Sequence, residues 1–156
     1  MSDEVWERHA NPWSVWTRFA CLPLLILAVW SRVWIGGWAW PASLLAVAFI
    51  WLNPRIFGRP PSTDNWASRA VLGERVWLNR HAVAVPAHHR LMPHLLNGVN
   101  SVGMVLVIGG LVWLAPWPTL LGTVLVYAGK LWFLDRMVWL YRDMADATAQ
   151  YRRWLY

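Results

Sequence analysis

Two long uncharged stretches dominate the hydrophobic pattern, and each is broken near its middle by a turn signal. The first runs from Phe19 to Asn53 and carries one charge, Arg32; the second runs from Leu95 to Gly129 and carries none. A helix needs about 20 residues to cross a bilayer, so a run near twice that length with a central turn reads as a helical hairpin. The expected turns are Gly36-Gly37 and Ala115-Pro116-Trp117-Pro118. The pattern predicts an all-α membrane protein with two transmembrane helical hairpins and four spans, at about 13–35, 38–53, 93–114 and 118–140. Residues 1–156 form a single membrane domain in this reading. The second span would be only about 24 Å long at ~1.5 Å per residue, so a thinned bilayer or a partly re-entrant first hairpin is the alternative.

Outside the hairpins the pattern changes. The connection 54–92 opens with Asn53-Pro54-Arg55-Ile56-Phe57-Gly58-Arg59-Pro60-Pro61, a stiff non-helical exit. Ser62-Thr63-Asp64-Asn65 then offers helix N-caps, and a helix from about Asp64 to Asn79 follows with Trp66, Ala70, Gly73 and Trp77 on one face. Near the C-terminus, Leu140, Tyr141, Met144, Ala147, Thr148, Tyr151 and Leu155 fall on one side of a helix, with Arg142, Asp143, Asp146, Gln150 and Arg153 on the other. This predicts an amphipathic helix over 137–155 that joins the connection in a cytoplasmic cap. Gly122 and Gly129 share a face of the fourth span and allow close helix approach.

Composition and charge add orientation. The chain has 156 residues, 58% of them hydrophobic, above the ~45–50% of ordinary soluble domains. Fifteen are tryptophan, and they cluster at both ends of the spans, as interfacial anchors do. The connection carries six arginines (Arg55, Arg59, Arg69, Arg75, Arg80, Arg90) against Asp64 and Glu74, leaving +4; from Lys130 onward five basic residues face three acidic ones, leaving +2. The outer turns carry only Arg32. Basic excess marks the cytoplasmic side, so an inner-membrane, multi-pass protein with both termini cytoplasmic is expected, and anionic lipid headgroups are its expected partner. Nucleic acid is not, because the arginines are scattered. The single Cys21 excludes an intrachain disulfide, and the acidic start of the chain does not read as a cleavable signal peptide.

Candidate chemistry gathers at the cytoplasmic edge. His81, His88, His89 and His94 lie within fourteen residues, and neutral imidazoles are good ligands for a transition-metal ion. Glu74, Asp135 and Asp143 are candidates to complete such a site. The spacing matches no established metal motif, and Arg80 and Arg90 work against a cation. A second group is polar residues at membrane depth: Lys130 is expected to meet Asn97, Ser101 and His94, which share one helix face, with Asp135 nearby as a ligand-binding residue. Structural use, as a snorkelling lysine and interfacial histidines, is the competing reading. No serine–histidine–carboxylate pattern, phosphate-cradling glycine loop or CxxC pair is present.

The segments His9 to Phe19, Asn53 to Phe57, Leu72 to Arg80, Pro86 to Arg90 and Lys130 to Met144 resemble a family of small prokaryotic multi-pass membrane proteins of unknown function. The resemblance covers most of the chain and implies no reaction, so no catalytic residue is carried over. The hairpins with a histidine-bearing connection also resemble membrane desaturases and hydroxylases, whose closely spaced histidine boxes are missing here. The expected function is a membrane protein with a histidine, lysine and aspartate site that binds a ligand or metal, as a small enzyme on a lipid or apolar substrate. The alternative is an accessory or assembly subunit of a larger membrane complex, or a homo-oligomer, with tryptophans and glycine faces as docking surfaces.

Overall fold

A computed structural model describes residues 2–156, and among them the chain is helical with no strand. Helix α1 (Asp3–His9) leads into α2 (Pro12–Trp30), where the Asn11 side chain accepts from the Trp13 N–H and Pro12 fills the first turn. The chain reverses through α3 (Arg32–Ile35) and a 3₁₀ turn, Gly36–Trp38, in which Gly36 takes φ +53°, a region glycine enters without a Cβ penalty. Helix α4 (Ala39–Ile56) returns antiparallel and runs past the boundary expected at Asn53, ending where Phe57 turns extended. The hairpin is pinned at its open end. Buried Asn53 accepts from Ser14 Oγ at 3.1 Å and donates to Thr17 Oγ1 at 2.7 Å.

The second hairpin pairs α6 (Met92–Val112) with α7 (Pro116–Met144). Its turn lies at Trp113–Ala115, earlier than expected, because Pro116 starts a helix rather than interrupting one. The two backbones touch through glycines. A Cβ on Gly122 would stand 2.6 Å from the Gly103 oxygen and 2.7 Å from the Val107 nitrogen, and one on Gly129 would stand 3.0 Å from the Leu96 oxygen. Small residues are what permit this approach.

Among the described residues, two side chains join the hairpins through polar contacts. Arg32, the lone charge of the first uncharged run, donates to the Leu111 and Val112 carbonyls at the end of α6, which have no helical partner of their own. Pro23 has no N–H to offer the Phe19 carbonyl four residues earlier, and the Tyr127 hydroxyl of α7 donates to that carbonyl instead.

The core lies at one end of the molecule, away from both turns. Helix α5 (Trp66–Leu78), capped by Asn65 accepting from the Ser68 N–H, lies across the second half of α7 and buries Ala70, Val76 and Trp77 against Leu134, Met137, Leu140 and Tyr141. Gly73 makes the crossing possible, since a Cβ there would overlap the Met137 backbone. On its other side α5 packs Ala67 and Val71 against Ala10 and Val15. The continuous amphipathic helix expected over 137–155 is instead broken: α7 stops at Met144 and a short α8 (Ala149–Arg153) folds back. The Tyr141 hydroxyl donates to the Tyr151 carbonyl at 2.9 Å, and Thr148 caps α8. In a straight helix those two residues would stand about 15 Å apart, so the bend is what buries Tyr151. Thr63 completes the closure with backbone and hydroxyl bonds to Trp154 and Tyr156.

Beyond this cap the hairpin arms present apolar side chains outward, among them Leu44, Leu45, Val105, Ile108, Leu121 and Val124. Two stretches, Pro12–Asn53 and Ala87–Val112, are helical, long and apolar enough to cross a membrane; mean hydropathy is 1.8 in both, and only 6% and 22% of their apolar windows is buried.

Candidate functional site

A cavity of about 140 Å³ opens where α2, α5 and α7 meet. Its walls are apolar, from Val15, Phe19 and Leu22 of α2 and Val126 and Leu134 of α7. Three charged groups line it: Arg18, Glu74 and Lys130. Each is placed by a different element. Arg18 projects from the second turn of α2, Glu74 follows the Gly73 crossing of α5, and Lys130 follows Gly129, which is seated on Leu96 and Asn100 of α6. That seating turns Lys130 toward α5, where its Nζ donates to Glu74 Oε1 at 2.6 Å and lies 5.1 Å from the Phe133 ring centroid.

Arg18 is held differently. Its Nε donates to the Ser14 carbonyl at 3.0 Å and one amino group donates to His9 Nε2. Among the described residues no carboxylate forms an ion pair with it. His9 sits against Trp6 edge-on, with ring centroids 5.8 Å apart. Burial first, then the charges of Arg18 and Lys130, push its pKa from 6.5 down to about 4, so the imidazole is neutral near pH 7 and accepts from Arg18. The cavity therefore holds two cations against one carboxylate.

A second cluster lies on the cap. His88 and His89, on a 3₁₀ turn at Ala87–His89, both aim Nε2 at Asp143 Oδ2 near the end of α7, at 3.2 and 2.8 Å. His89 is buried, whereas His88 and Asp143 are exposed. Bonds from His89 and then His88 hold the Asp143 carboxyl below its ordinary pKa.

The expected four-histidine group thus divides. His81 is exposed on the turn after α5, and His94 packs edge-on to Trp77 at 5.5 Å. Neither joins His88 and His89. The expected meeting of Lys130 with Asn97 and Ser101 does not occur: both are exposed on α6, and the glycine contact that docks α6 on α7 leaves Lys130 on another face. Asp135 pairs with its neighbour Arg136 at 3.2 Å, outside the cavity. Sequence reasoning missed Arg18 and His9 as site residues, and offered Glu74 as a metal ligand, not as the partner of Lys130. The usable signal for Arg18 is a charge one turn inside an apolar helix.

Fold and site together define a class: an all-helical protein with apolar stretches able to cross a membrane, and a charged cavity where they meet a helical cap. The chain belongs to the family of unknown function DUF6653, whose model matches residues 1–154. Comparison with curated proteins and with solved structures gives no match.

Proposed function

We propose that this is a four-span inner-membrane protein, with both termini and the cap in the cytoplasm, that binds an amphiphile by its anionic head in the cavity between α2, α5 and α7. The carrying observation is Arg18 and Lys130 at one apolar-walled cavity with Glu74 as the only counter-charge among the described residues. An anion, phosphate or carboxylate, supplies the charge that balances the pair, and Arg18 keeps a donor for it. The apolar walls of α2 and α7 continue into the outward-facing surface of the hairpins, so a chain attached to that head stays in the bilayer. The basic excess of the cap supports the orientation, and the uncovered apolar arms support four spans.

The test is lipid analysis of protein purified in mild detergent. Wild type should retain an anionic lipid or fatty acid at about one per chain, and Arg18→Gln with Lys130→Gln should lose it while melting as a folded protein. Equal retention by wild type and the double variant, or retention of zwitterionic lipid alone, would overturn the reading. The rival reading is a subunit of a larger membrane complex. It is favoured by the sparse contact between the hairpins, which leaves α4 exposed along most of its length. A stoichiometric partner through native purification would be its mark.

A further inference from the structure

We propose that His88, His89 and Asp143 bind a divalent transition-metal ion, zinc by preference, at a site on the cap separate from the charged cavity. The inference does not depend on the anion reading. One ligand atom from each residue lies within 4.8 Å of the others, and the three come from two elements that meet only in the folded chain. The two imidazoles converge instead of diverging: ring centroids are 4.2 Å apart, and both Nε2 atoms address the same carboxylate oxygen. Two nitrogens and one oxygen suit zinc and its neighbours in the divalent series, and are a poor set for magnesium or calcium. Around zinc, ligand atoms ~2.0–2.2 Å from the metal stand about 3.3 Å apart. The two nitrogen–oxygen separations, 2.8 and 3.2 Å, need shifts of only tenths of an ångström, and the two imidazole nitrogens, within 4.8 Å of each other, close on the ion as it binds.

Local charge also favours a cation. Asp143 has no lysine or arginine ion pair among the described residues. Arg90 is turned back onto the Val85 carbonyl, and Arg142 lies over the Trp139 ring at 5.4 Å, so the two nearest arginines in sequence are committed elsewhere. Because His88 and Asp143 are exposed, the fourth coordination position opens to water. The ion would replace the hydrogen bonds that join the imidazoles to the carboxylate, and it would tie the connection to the end of α7.

The experiment is zinc titration of tag-free, chelator-stripped, full-length protein in detergent, against a chromophoric indicator and by melting temperature. Wild type should bind one zinc per chain with a raised melting temperature. His88→Ala and Asp143→Asn alter exposed side chains and should fold normally, yet each should weaken zinc binding at least tenfold and abolish the melting shift. His81→Ala and His94→Ala should bind like wild type. Absence of stoichiometric zinc in wild type would overturn the proposal. So would zinc binding that survives His88→Ala and Asp143→Asn unchanged, or that falls with His81→Ala or His94→Ala instead.

Discussion

Gly73→Ala is the sharpest test of how the cap sits on α7, because two effects oppose each other there. Helix preference alone favours alanine by about 0.5–1 kcal/mol. The packing says otherwise. A Cβ at residue 73 would lie 2.5 Å from the Met137 carbonyl carbon and 2.9 Å from its Cα, where ordinary contact begins at 3.4 Å. These are backbone atoms of a continuous helix, which cannot rotate away, so α5 must lift by about 1 Å. Overpacking of this kind costs about 3 kcal/mol, the upper end of the usual range. The neighbouring Lys130–Glu74 bridge loosens as well, but Lys130 is 43% exposed, so that adds well under about 1 kcal/mol. The net expectation is destabilisation of about 2 kcal/mol, a fall in melting temperature of roughly 4–8 °C. Gly98 of α6 has nothing within 4 Å of a built Cβ, so Gly98→Ala should stabilise slightly. Thermal unfolding of both variants in one detergent reads the two signs. If Gly73→Ala melts at or above wild type, α5 does not cross α7 in this register.

Three further outcomes follow from other contacts. Tyr127→Phe should cost about 1–3 kcal/mol by stranding the Phe19 carbonyl, and adding Pro23→Ala should recover most of it because alanine restores the helical N–H; no recovery in the melting temperature would refute the pairing. Gly122→Ala should destabilise more than Gly129→Ala, since the added Cβ would stop 2.6 Å from backbone at the first site and 3.0 Å at the second; equal melting temperatures would contradict that approach. His9 contributes pH dependence of definite sign. Its folded pKa, about 4, lies below the 6.5 of the unfolded chain, so its contribution is fully present above pH 6.5. It is lost as pH falls from 6.5 toward 4, by up to roughly 3 kcal/mol. Stability measured between pH 7 and 4.5 should fall less steeply in His9→Gln than in wild type.

The hairpins were readable because a charge-free run and a turn are local properties. So was α5: of the four candidate caps Asn65 starts the helix at Trp66, two residues later than expected, and Ala70, Gly73 and Trp77 share its buried face. The break after Met144 was not, because residues 145–148 carry no proline or glycine and the amphipathic pattern runs through them. The Thr148 cap starts α8, but what holds the bend is the bond from Tyr141 to Tyr151 and the docking of Tyr156 on Thr63, neither of which has a local signature. The site divides the same way. His88 and His89 are adjacent in sequence, so their convergence needs only one partner, and Asp143 is one of the three acids the sequence offers for it. The Arg18–Glu74–Lys130 group draws one residue from each of three helices, and no spacing rule brings those together.

Placing the core in the cap has a consequence for biosynthesis. The cap is assembled from Ala10, from Ala67 to Trp77, and from Leu134 to Tyr151, so its parts leave the ribosome at well-separated times, with most or all of a hairpin made between each and the next. Each hairpin needs only its own two helices to pair and can settle as soon as it is made. The cap must wait until Tyr151 has been synthesised. Until then the face of α5 that carries Ala70, Val76 and Trp77 is uncovered on the newly made chain, and the second half of α7 with α8 is what removes it from the reach of proteases and chaperones.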